Sequence, residues 1–291
     1  MILLIINIIY YSIIYAFIGF SFFCIYNTSK YLHFTHAISL TFGAYITYFI
    51  SIQLNLPLVV AIPISVLLGI GLMLLVNQYI YKPLQIRNIK NWQMLIASLG
   101  VYIVLQNIIS ILWGDSTLSF RTWPVKQGHP FYGAYITDVQ IITILVSIGL
   151  LVIIWGFLEK TNIGQKIKAV SSNPELSNLL GISKDKAVVW SFILGSGFAA
   201  CAGILIGADT DMTPTMGFNW FLYAVVAMII GGMGKMHYLF LGAILLASAQ
   251  LLSAYYIDSK WMNSTAFIIL ILFLYFKPYG FSGIRIKKVE I

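Results

Sequence analysis

"DVQIITILVSIGLLVIIWGF", residues 138–157, is an apolar stretch of 20 residues whose one charged residue is Asp138, at its first position. Its apolar side chains do not alternate with polar ones, as they would in a strand of a transmembrane barrel. A helix of about 20 apolar residues is long enough to cross the hydrocarbon core of a bilayer. The stretch therefore predicts a membrane-spanning helix.

The same character extends over most of the chain. Hydrophobic residues make up 60% of the 291 residues and charged residues 9%, a balance more apolar than a soluble domain can bury. The apolar runs, with approximate ends, are 2–26, 36–54, 57–81, 92–113, 138–157, 188–208, 218–234, 239–256 and 264–276. We predict one all-α domain over residues 1–291, a polytopic transmembrane helical bundle with about eight or nine crossings; eight apply if 36–54 enters the membrane and returns.

Basic residues predominate in every second connection between these runs. Outside the central segment, these connections hold Lys30, Lys82, Arg87, Lys90, Lys235, Lys277, Arg285, Lys287 and Lys288. The other connections carry acidic residues or a balance of signs, which includes Arg121, Lys126 and Lys260. Since basic connections stay on the cytoplasmic side, nine crossings predict an outside N-terminus and a cytoplasmic C-terminus. The net charge of +8 then reflects membrane topology. The apolar composition predicts the lipid bilayer as the surroundings of the chain. This interpretation of the charge predicts no nucleic-acid partner.

Motifs for catalysis are missing from the sequence. We find no Gly-rich phosphate loop, no H-E-x-x-H and no G-x-S-x-G. Every Asp and Glu lies at the end of an apolar run or in a connection, whereas ion-driven carriers usually keep an ionisable group within the membrane. We therefore expect no enzymatic activity, catalytic residue, cofactor or metal, and we expect another polypeptide to supply the energy for uphill transport.

Small residues are concentrated in the run at 188–208. Gly195, Gly197, Gly203 and Gly207 alternate with alanines there. Small residues let the backbones of two membrane helices approach closely. We expect this surface to serve helix packing rather than to line a pathway.

"AVSSNPELSNLLGISKDK", residues 169–186, is a polar island in this apolar chain. Together with the lead-in from Glu159 it holds eight of the 26 charged residues. So many charges do not enter the hydrocarbon core. The segment at about 159–187 is therefore predicted to be a cytoplasmic loop.

A short helix is predicted within this loop. Asn173 is a good N-cap, Pro174 suits the first helical position, and Glu175 favours the positive end of the helix dipole. Gly181 can adopt the left-handed conformation that follows a helix end. These signals predict a helix of two turns at 174–180.

Three leucines share one face of that helix. Leu176, Leu179 and Leu180 have the i, i+3, i+4 spacing that brings side chains together. Because so short a helix is marginal by itself, something must cover the leucines. Two candidates remain open, the cytoplasmic ends of the chain's own helices and a separate protein.

"IGQKIKAVSSNPELSNLLGI", residues 163–182, resembles the cytoplasmic loop of ABC importer permeases of the branched-chain amino-acid type. The spacing from Glu175 to Gly181 is similar to the E-A-A-x-x-x-G loop with which importer permeases engage their ATPase. The resemblance continues in "HFTHAISLTFGAYI" (33–46), "MTPTMGFNWFLYAVVAMIIGGMGK" (212–235) and "FKPYGFSG" (276–283). In this order the matches cover most of the chain.

The resemblance implies a permease subunit of an ATP-driven importer in the bacterial inner membrane, for branched-chain or related amino acids. It implies that ATP is hydrolysed by cytoplasmic ATP-binding subunits, that a second homologous permease completes the path as a homodimer or heterodimer, and that an extracytoplasmic substrate-binding protein supplies specificity. Alternatives are a urea, amide or sugar substrate, or a stand-alone channel or facilitator.

The resemblance implies one group of site residues, and the sequence itself suggests a second. The ATPase-coupling residues are Lys168, Asn173, Pro174, Glu175, Leu176, Leu179, Leu180 and Gly181. The pathway or gating candidates are Thr35, His36, Gly231, Gly232 and Gly234. Lys168 replaces the family's arginine, and Leu176 and Ser177 replace its paired alanines. For His36, a hydrogen-bonded interfacial position is the alternative, and for the glycines a structural role.

Overall fold

A computed structural model describes residues 1–87, 89–124, 128–232 and 236–283. The helices are α1 (Ile2–Ser29), α2 (His36–Tyr48), α3 (Leu58–Val76), α4 (Lys82–Ile86), α5 (Asn91–Trp113), α6 (Asp138–Lys160), α7 (Asn162–Ser172), α8 (Pro174–Leu179), α9 (Lys184–Thr210), α10 (Met216–Gly231), α11 (Met236–Tyr256) and α12 (Met262–Phe276). Short π-helical segments, Phe49–Gln53 and Asn77–Tyr81, follow α2 and α3.

Seven helices of the described chain are long and apolar enough to cross a membrane. They are Ile2–Ser29, Leu58–Ile86, Asn91–Trp113, Asp138–Lys160, Lys184–Thr210, His237–Tyr256 and Ser259–Phe276. The shorter apolar helix α10 adds an eighth candidate. The predicted run at 36–54 forms α2 and the π-helical segment after it, and α2 is almost entirely buried. The prediction of an all-α polytopic bundle is confirmed.

The described residues form two compact units, each assembled from segments that are distant in sequence. The first lies within Met1–Phe23, Val125–Ile148 and Trp220–Ile291, and the second within Cys24–Pro124 and Gly149–Asn219. Helices α1, α6 and α10 each contribute residues to both units.

In the second unit α2 packs against α3 and α9. The backbones of α2 and α9 are in direct contact, since a Cβ added at Gly203 would lie 1.9 Å from the Leu40 carbonyl oxygen. A Cβ added at Gly43 would lie 2.7 Å from the carbonyl oxygen of Ala200. The small residues of α9 therefore serve close helix packing, as expected from the sequence.

Two elements were not predicted. Strands β1 (His129–Phe131) and β2 (Ala134–Ile136) form an antiparallel hairpin, in which Tyr132 and Gly133 have the positive φ values of a tight turn. Helix α7 begins where the Thr161 side chain accepts a hydrogen bond from the Gly164 N–H at 3.1 Å. The strands of three residues are too short to show a pattern, and in α7 the buried Ile167 stands between Lys166 and Lys168 in the sequence.

Candidate functional site

The start of α8 is determined locally. The Asn173 side-chain oxygen accepts a hydrogen bond from the Leu176 N–H at 3.0 Å, and Pro174 occupies the first turn. This arrangement is the predicted N-cap, in which a side chain satisfies a backbone donor that the helix leaves unpaired. Asn173 also closes the preceding helix, because its N–H donates to the Ala169 carbonyl oxygen. One residue therefore separates α7 from α8.

The end of α8 is also the predicted one. Gly181 has a φ of 76°, and its N–H donates to the Asn178 carbonyl oxygen at 3.0 Å. The Ile182 N–H donates to the Ser177 carbonyl oxygen at 2.9 Å, which completes a Schellman motif. The helix ends at Leu179 with Leu180 as its C-cap, within one residue of the expectation.

The leucines of α8 point away from the rest of the chain. Leu176, Leu179 and Leu180 are 53%, 84% and 71% exposed. Ser177 is buried, and its hydroxyl donates to the Asn173 carbonyl oxygen at 2.8 Å. The chain's own described helices therefore leave the leucines uncovered. We call Leu176, Leu179 and Leu180 the leucine face.

Two ion pairs each include a residue close to α8 in the sequence. The Lys168 ammonium of α7 donates to the carboxylate of Glu159 at the end of α6. Lys82 and Asp185 form a second pair, with 3.1 Å between Nζ and Oδ2. Glu175 is exposed in the first turn of α8. Lys168, which the resemblance predicts to be a coupling residue, is thus held beside its own chain's carboxylate.

Thr35 lies in a buried hydrogen-bond network. Its hydroxyl donates to the Ser98 carbonyl oxygen at 2.7 Å and accepts from the Tyr81 hydroxyl at 2.5 Å. The Phe34 N–H donates to the Ser98 hydroxyl at 3.1 Å. Thr35 therefore joins the start of α2 to α5 and to the end of the π-helical segment after α3.

Two histidines near Thr35, His33 and His36, are fully buried. The interfacial position of His36 stays a prediction. The His33 ring packs edge-on against Tyr81 and Phe192, with centroids 4.7 and 5.2 Å away. Burial, and then the neighbouring His36, holds the pKa of His33 well below its usual value, so His33 is neutral.

Two glycines at the end of α10 pack closely against other parts of the chain. A Cβ added at Gly231 would lie 2.4 Å from the Tyr238 carbonyl oxygen, and Gly232 has a φ of 95°. The Phe281 N–H donates to the Ile230 carbonyl oxygen at 2.9 Å. Gly231 and Gly232 therefore permit close packing, and Gly234 lies outside the described residues.

Residues 118–121, which we call the strap, bind residues 211 and 212 in a contact that was not predicted from the sequence. Leu118 and Met212 exchange backbone hydrogen bonds of 3.0 and 2.8 Å, and the Arg121 guanidinium donates to the Asp211 carboxylate. A hydrogen bond from Ser119 is the largest cause that holds the pKa of Asp211 below its usual value; burial opposes it, and the hydrogen bond and charge of Arg121 lower the pKa further. Arg121 and Asp211 are 90 positions apart, and no sequence pattern indicated that they would meet.

We expect Asp211→Asn to lower the free energy of unfolding by about 1 kcal/mol, because it removes the charge that Arg121 pairs with. Asparagine tolerates the positive φ of this position, 62°, so the backbone is not strained. The folded-state pKa is depressed, so this stability is present above the unfolded pKa and is lost as the pH falls through the folded pKa. The difference in apparent melting temperature between wild type and variant should therefore vanish in acid.

Asp138→Asn is the matched control, because Asp138 pairs with His129 at a more exposed site. Its effect on the melting temperature should be smaller. Equal effects of the two substitutions at neutral pH would contradict a stabilising role for the strap.

Among the described residues, no group of three or more His, Cys, Asp or Glu is placed to hold a metal ion. The most distinctive surface of the polar loop is instead an exposed apolar face on a helix whose two ends are both capped. Such a face is suited to bind a groove on another protein.

A family model described as "Branched-chain amino acid transport system / permease component" matches residues 4–275. The permease protein LivH of Salmonella typhimurium, of a high-affinity branched-chain amino acid transport system, is 26% identical over 283 residues, which is 92% of this chain and 91% of the relative. BraD of Pseudomonas aeruginosa, with the same description, is 25% identical over 92% of this chain and 91% of its own length. The family resemblance of the sequence motifs is confirmed.

One further relative matches about half of this chain, and one solved structure matches most of it. The galactose/methyl galactoside import permease MglC of Haemophilus influenzae is 27% identical over 146 residues, 47% of this chain and 42% of the relative. A structure titled "PsaBC from Streptococcus pneumoniae in complex with Fab" matches 94% of this chain and 91% of the solved chain, with a TM-score of 0.52 and 13% identity. The latter likeness concerns the fold alone.

Proposed function

Because this chain belongs to the branched-chain amino acid transport system permease family, we propose that it is the membrane-spanning permease subunit of an ATP-driven importer for branched-chain or related amino acids. Its partners are cytoplasmic ATP-binding subunits, which hydrolyse ATP, a second homologous permease, which completes the path, and an extracytoplasmic substrate-binding protein. All of them act at the bacterial inner membrane, where this multi-pass chain forms one permease domain over residues 1–291.

The exposure of the leucine face supports this proposal most directly. Fully burying a leucine side chain contributes about 1.5 to 3 kcal/mol, and no described part of the chain covers these three. A groove on the ATP-binding subunit would bury them, with Asn173, Pro174 and Gly181 keeping the helix intact. Glu175 and Lys168 then lie at the polar rim of the contact.

Coupling requires that the ATP-binding subunits bind two states of the permease with different affinity. ATP-driven closure of those subunits draws the two leucine faces of the permease pair together and reorients the membrane helices. Residues at tight helix contacts then have a gating role, which we assign to Thr35, His36, Gly231, Gly232 and, from its sequence position, Gly234.

The proposed orientation follows from the same contact. If α8 meets a cytoplasmic ATPase, the loop at 159–187 is cytoplasmic, in agreement with its basic residues. Nine crossings, including the segment from α2 to Gln53, then give an outside N-terminus and a cytoplasmic C-terminus. The second unit's strap lies on the outside.

Uptake by a deletion strain complemented with this chain tests the function. We expect ATP-dependent uptake of labelled leucine in preference to urea and galactose. Preferred uptake of galactose would instead support the sugar alternative, which the similarity to MglC over about half of the chain favours. Flux through liposomes that contain this chain alone would contradict the importer and support a stand-alone facilitator.

A further inference from the structure

Five side chains in the first unit form a cluster within its membrane helices. Tyr11 and Tyr15 come from α1, Trp220 and Tyr223 from α10, and Asn263 from α12. The Tyr11 ring stacks on Trp220 with centroids 5.6 Å apart and planes 16° apart, and Tyr15 lies 5.9 Å from Trp220 and 5.6 Å from Tyr223. The Tyr223 hydroxyl donates to the Asn263 side-chain oxygen. We call these five residues the aromatic cluster.

The cluster presents polar groups that a lipid-facing surface does not favour. Tyr11, Trp220 and Tyr223 are partly exposed and Asn263 is exposed, while Tyr15 is buried behind them. Phenol hydroxyls, an indole N–H and an amide all lose hydrogen bonds to water when they face hydrocarbon. Polar residues of membrane helices therefore usually face a bundle interior or a water-filled cavity.

Helix α1 separates this polar side from a lipid-facing side. Asn7, Tyr11 and Tyr15 are spaced at i, i+4 and i+8, so they lie along one face. The exposed Ile5 and Ile9 lie two residues away, which is about 200° around a helix with 3.6 residues per turn. The aliphatic face suits lipid, and the tyrosine face lies opposite.

The position of Tyr11 along α1 distinguishes it from residues at the end of the helix. Tyr11 lies nine residues after Ile2, about 14 Å along α1 at 1.5 Å per residue. The 28 residues of α1 are about 42 Å long, which exceeds the roughly 30 Å hydrocarbon core by about 6 Å at each end. An upright α1 centred in the bilayer would place Tyr11 about 8 Å inside the core, deeper than belt residues.

We propose that the aromatic cluster is a solute-contacting surface of the transport path, and that it takes small solutes with no net charge and an aliphatic C–H face. The ring faces contact the C–H groups, and the hydroxyl, indole and amide groups hydrogen-bond to the solute's polar atoms. The cluster contains no charged side chain, so a solute with a net charge would lose its hydration without gaining a counter-charge. The inference rests on the proposed transport function and names the chemistry of its substrate.

Zwitterionic aliphatic amino acids and uncharged sugars share this chemistry. Both present C–H groups on one side and hydrogen-bonding groups on the other, and neither carries a net charge. Lysine and glutamate do not fit, because each has a net charge at neutral pH.

Accessibility to a water-soluble thiol reagent tests the position of the cluster without requiring transport. Tyr11→Cys and Tyr223→Cys are placed in full-length protein in which Cys24 and Cys201 are replaced by alanine, and native membrane vesicles are treated with a cationic methanethiosulfonate. We expect labelling at least tenfold faster than for Ile9→Cys and Ile271→Cys, which are exposed on aliphatic faces. Equally slow labelling of all four variants would overturn the proposal.

Uptake kinetics in the complete importer test the chemistry. We expect Trp220→Leu and Tyr223→Phe to lower kcat/KM at least tenfold for the transported solute, while Trp155→Leu, at an exposed position of α6, leaves it unchanged. Parallel arms with leucine and galactose identify which neutral solute is used. Lysine or glutamate competing as well as that solute would overturn the inferred selection against net charge.

Different results would contradict the proposed function and the inference about the aromatic cluster. A wild-type importer without ATP-dependent uptake contradicts the proposed function, and the labelling result then still decides whether the cluster faces water. A wild-type importer that transports, with both cluster variants transporting equally well, overturns this inference and leaves the proposed function intact.

Discussion

Leu179→Asp is expected to abolish ATP-dependent uptake while the chain still reaches the membrane. Leu179 is 84% exposed, so the substitution removes no contact within the chain. In the proposed complex the change removes about 2 kcal/mol of apolar burial and places a carboxylate in an apolar groove. The ATP-binding subunit should bind at least 100-fold more weakly, which corresponds to about 3 kcal/mol or more.

Copurification of the ATP-binding subunit with the tagged chain measures this loss of affinity directly. Leu56→Asp is the matched control, because Leu56 is an exposed leucine in another connection and should leave copurification unchanged. Full uptake and normal copurification by Leu179→Asp would remove α8 from the coupling interface, whereas loss of both activities in Leu56→Asp would indicate a general effect of added charge.

Gly203→Ala is expected to have the largest effect on folding. The added Cβ would lie 1.9 Å from the Leu40 carbonyl oxygen, and backbone atoms cannot move aside as a flexible side chain can. Helices α2 and α9 must therefore separate, at a cost of about 3 kcal/mol or more in the free energy of unfolding. Reduced yield of folded protein and a lower apparent melting temperature measure this cost.

Gly100→Ala in α5 is expected to stabilise the folded protein, in contrast to Gly203→Ala. Nothing lies within 4 Å of a Cβ added at Gly100, so only the gain in helix propensity remains. This gain is about 1 kcal/mol, and the melting temperature should rise slightly. If the two substitutions changed the melting temperature equally, close backbone contact between α2 and α9 would not be what stabilises the second unit.

Local signals explain why α8 was predicted to within one residue. Asn173 and the turn at Gly181 act through hydrogen bonds between residues three to five positions apart. Pro174 acts through its fixed φ at the first helical position. The membrane helices were predicted for a similar reason, because the length of an apolar run is a property of contiguous residues. Neither depends on where other elements lie.

Burial could not be predicted in the same way. The start of an apolar run at His33 and His36 does not indicate whether their side chains are buried. The burial of His33 depends on Tyr81 and Phe192, which are 48 and 159 positions away in the sequence. The hairpin and the strap likewise depend on contacts between distant residues.

The sequence by itself determined that the chain crosses a membrane many times, which family it resembles, and that a capped helix interrupts its polar loop. These properties rest on composition and on hydrogen bonds between near neighbours. Only the tertiary structure decided that the leucine face is uncovered and that Tyr11, Trp220 and Asn263 belong to one cluster. The physical reason is that exposure and side-chain clustering depend on which distant helices pack together. That packing cannot be read from a single sequence.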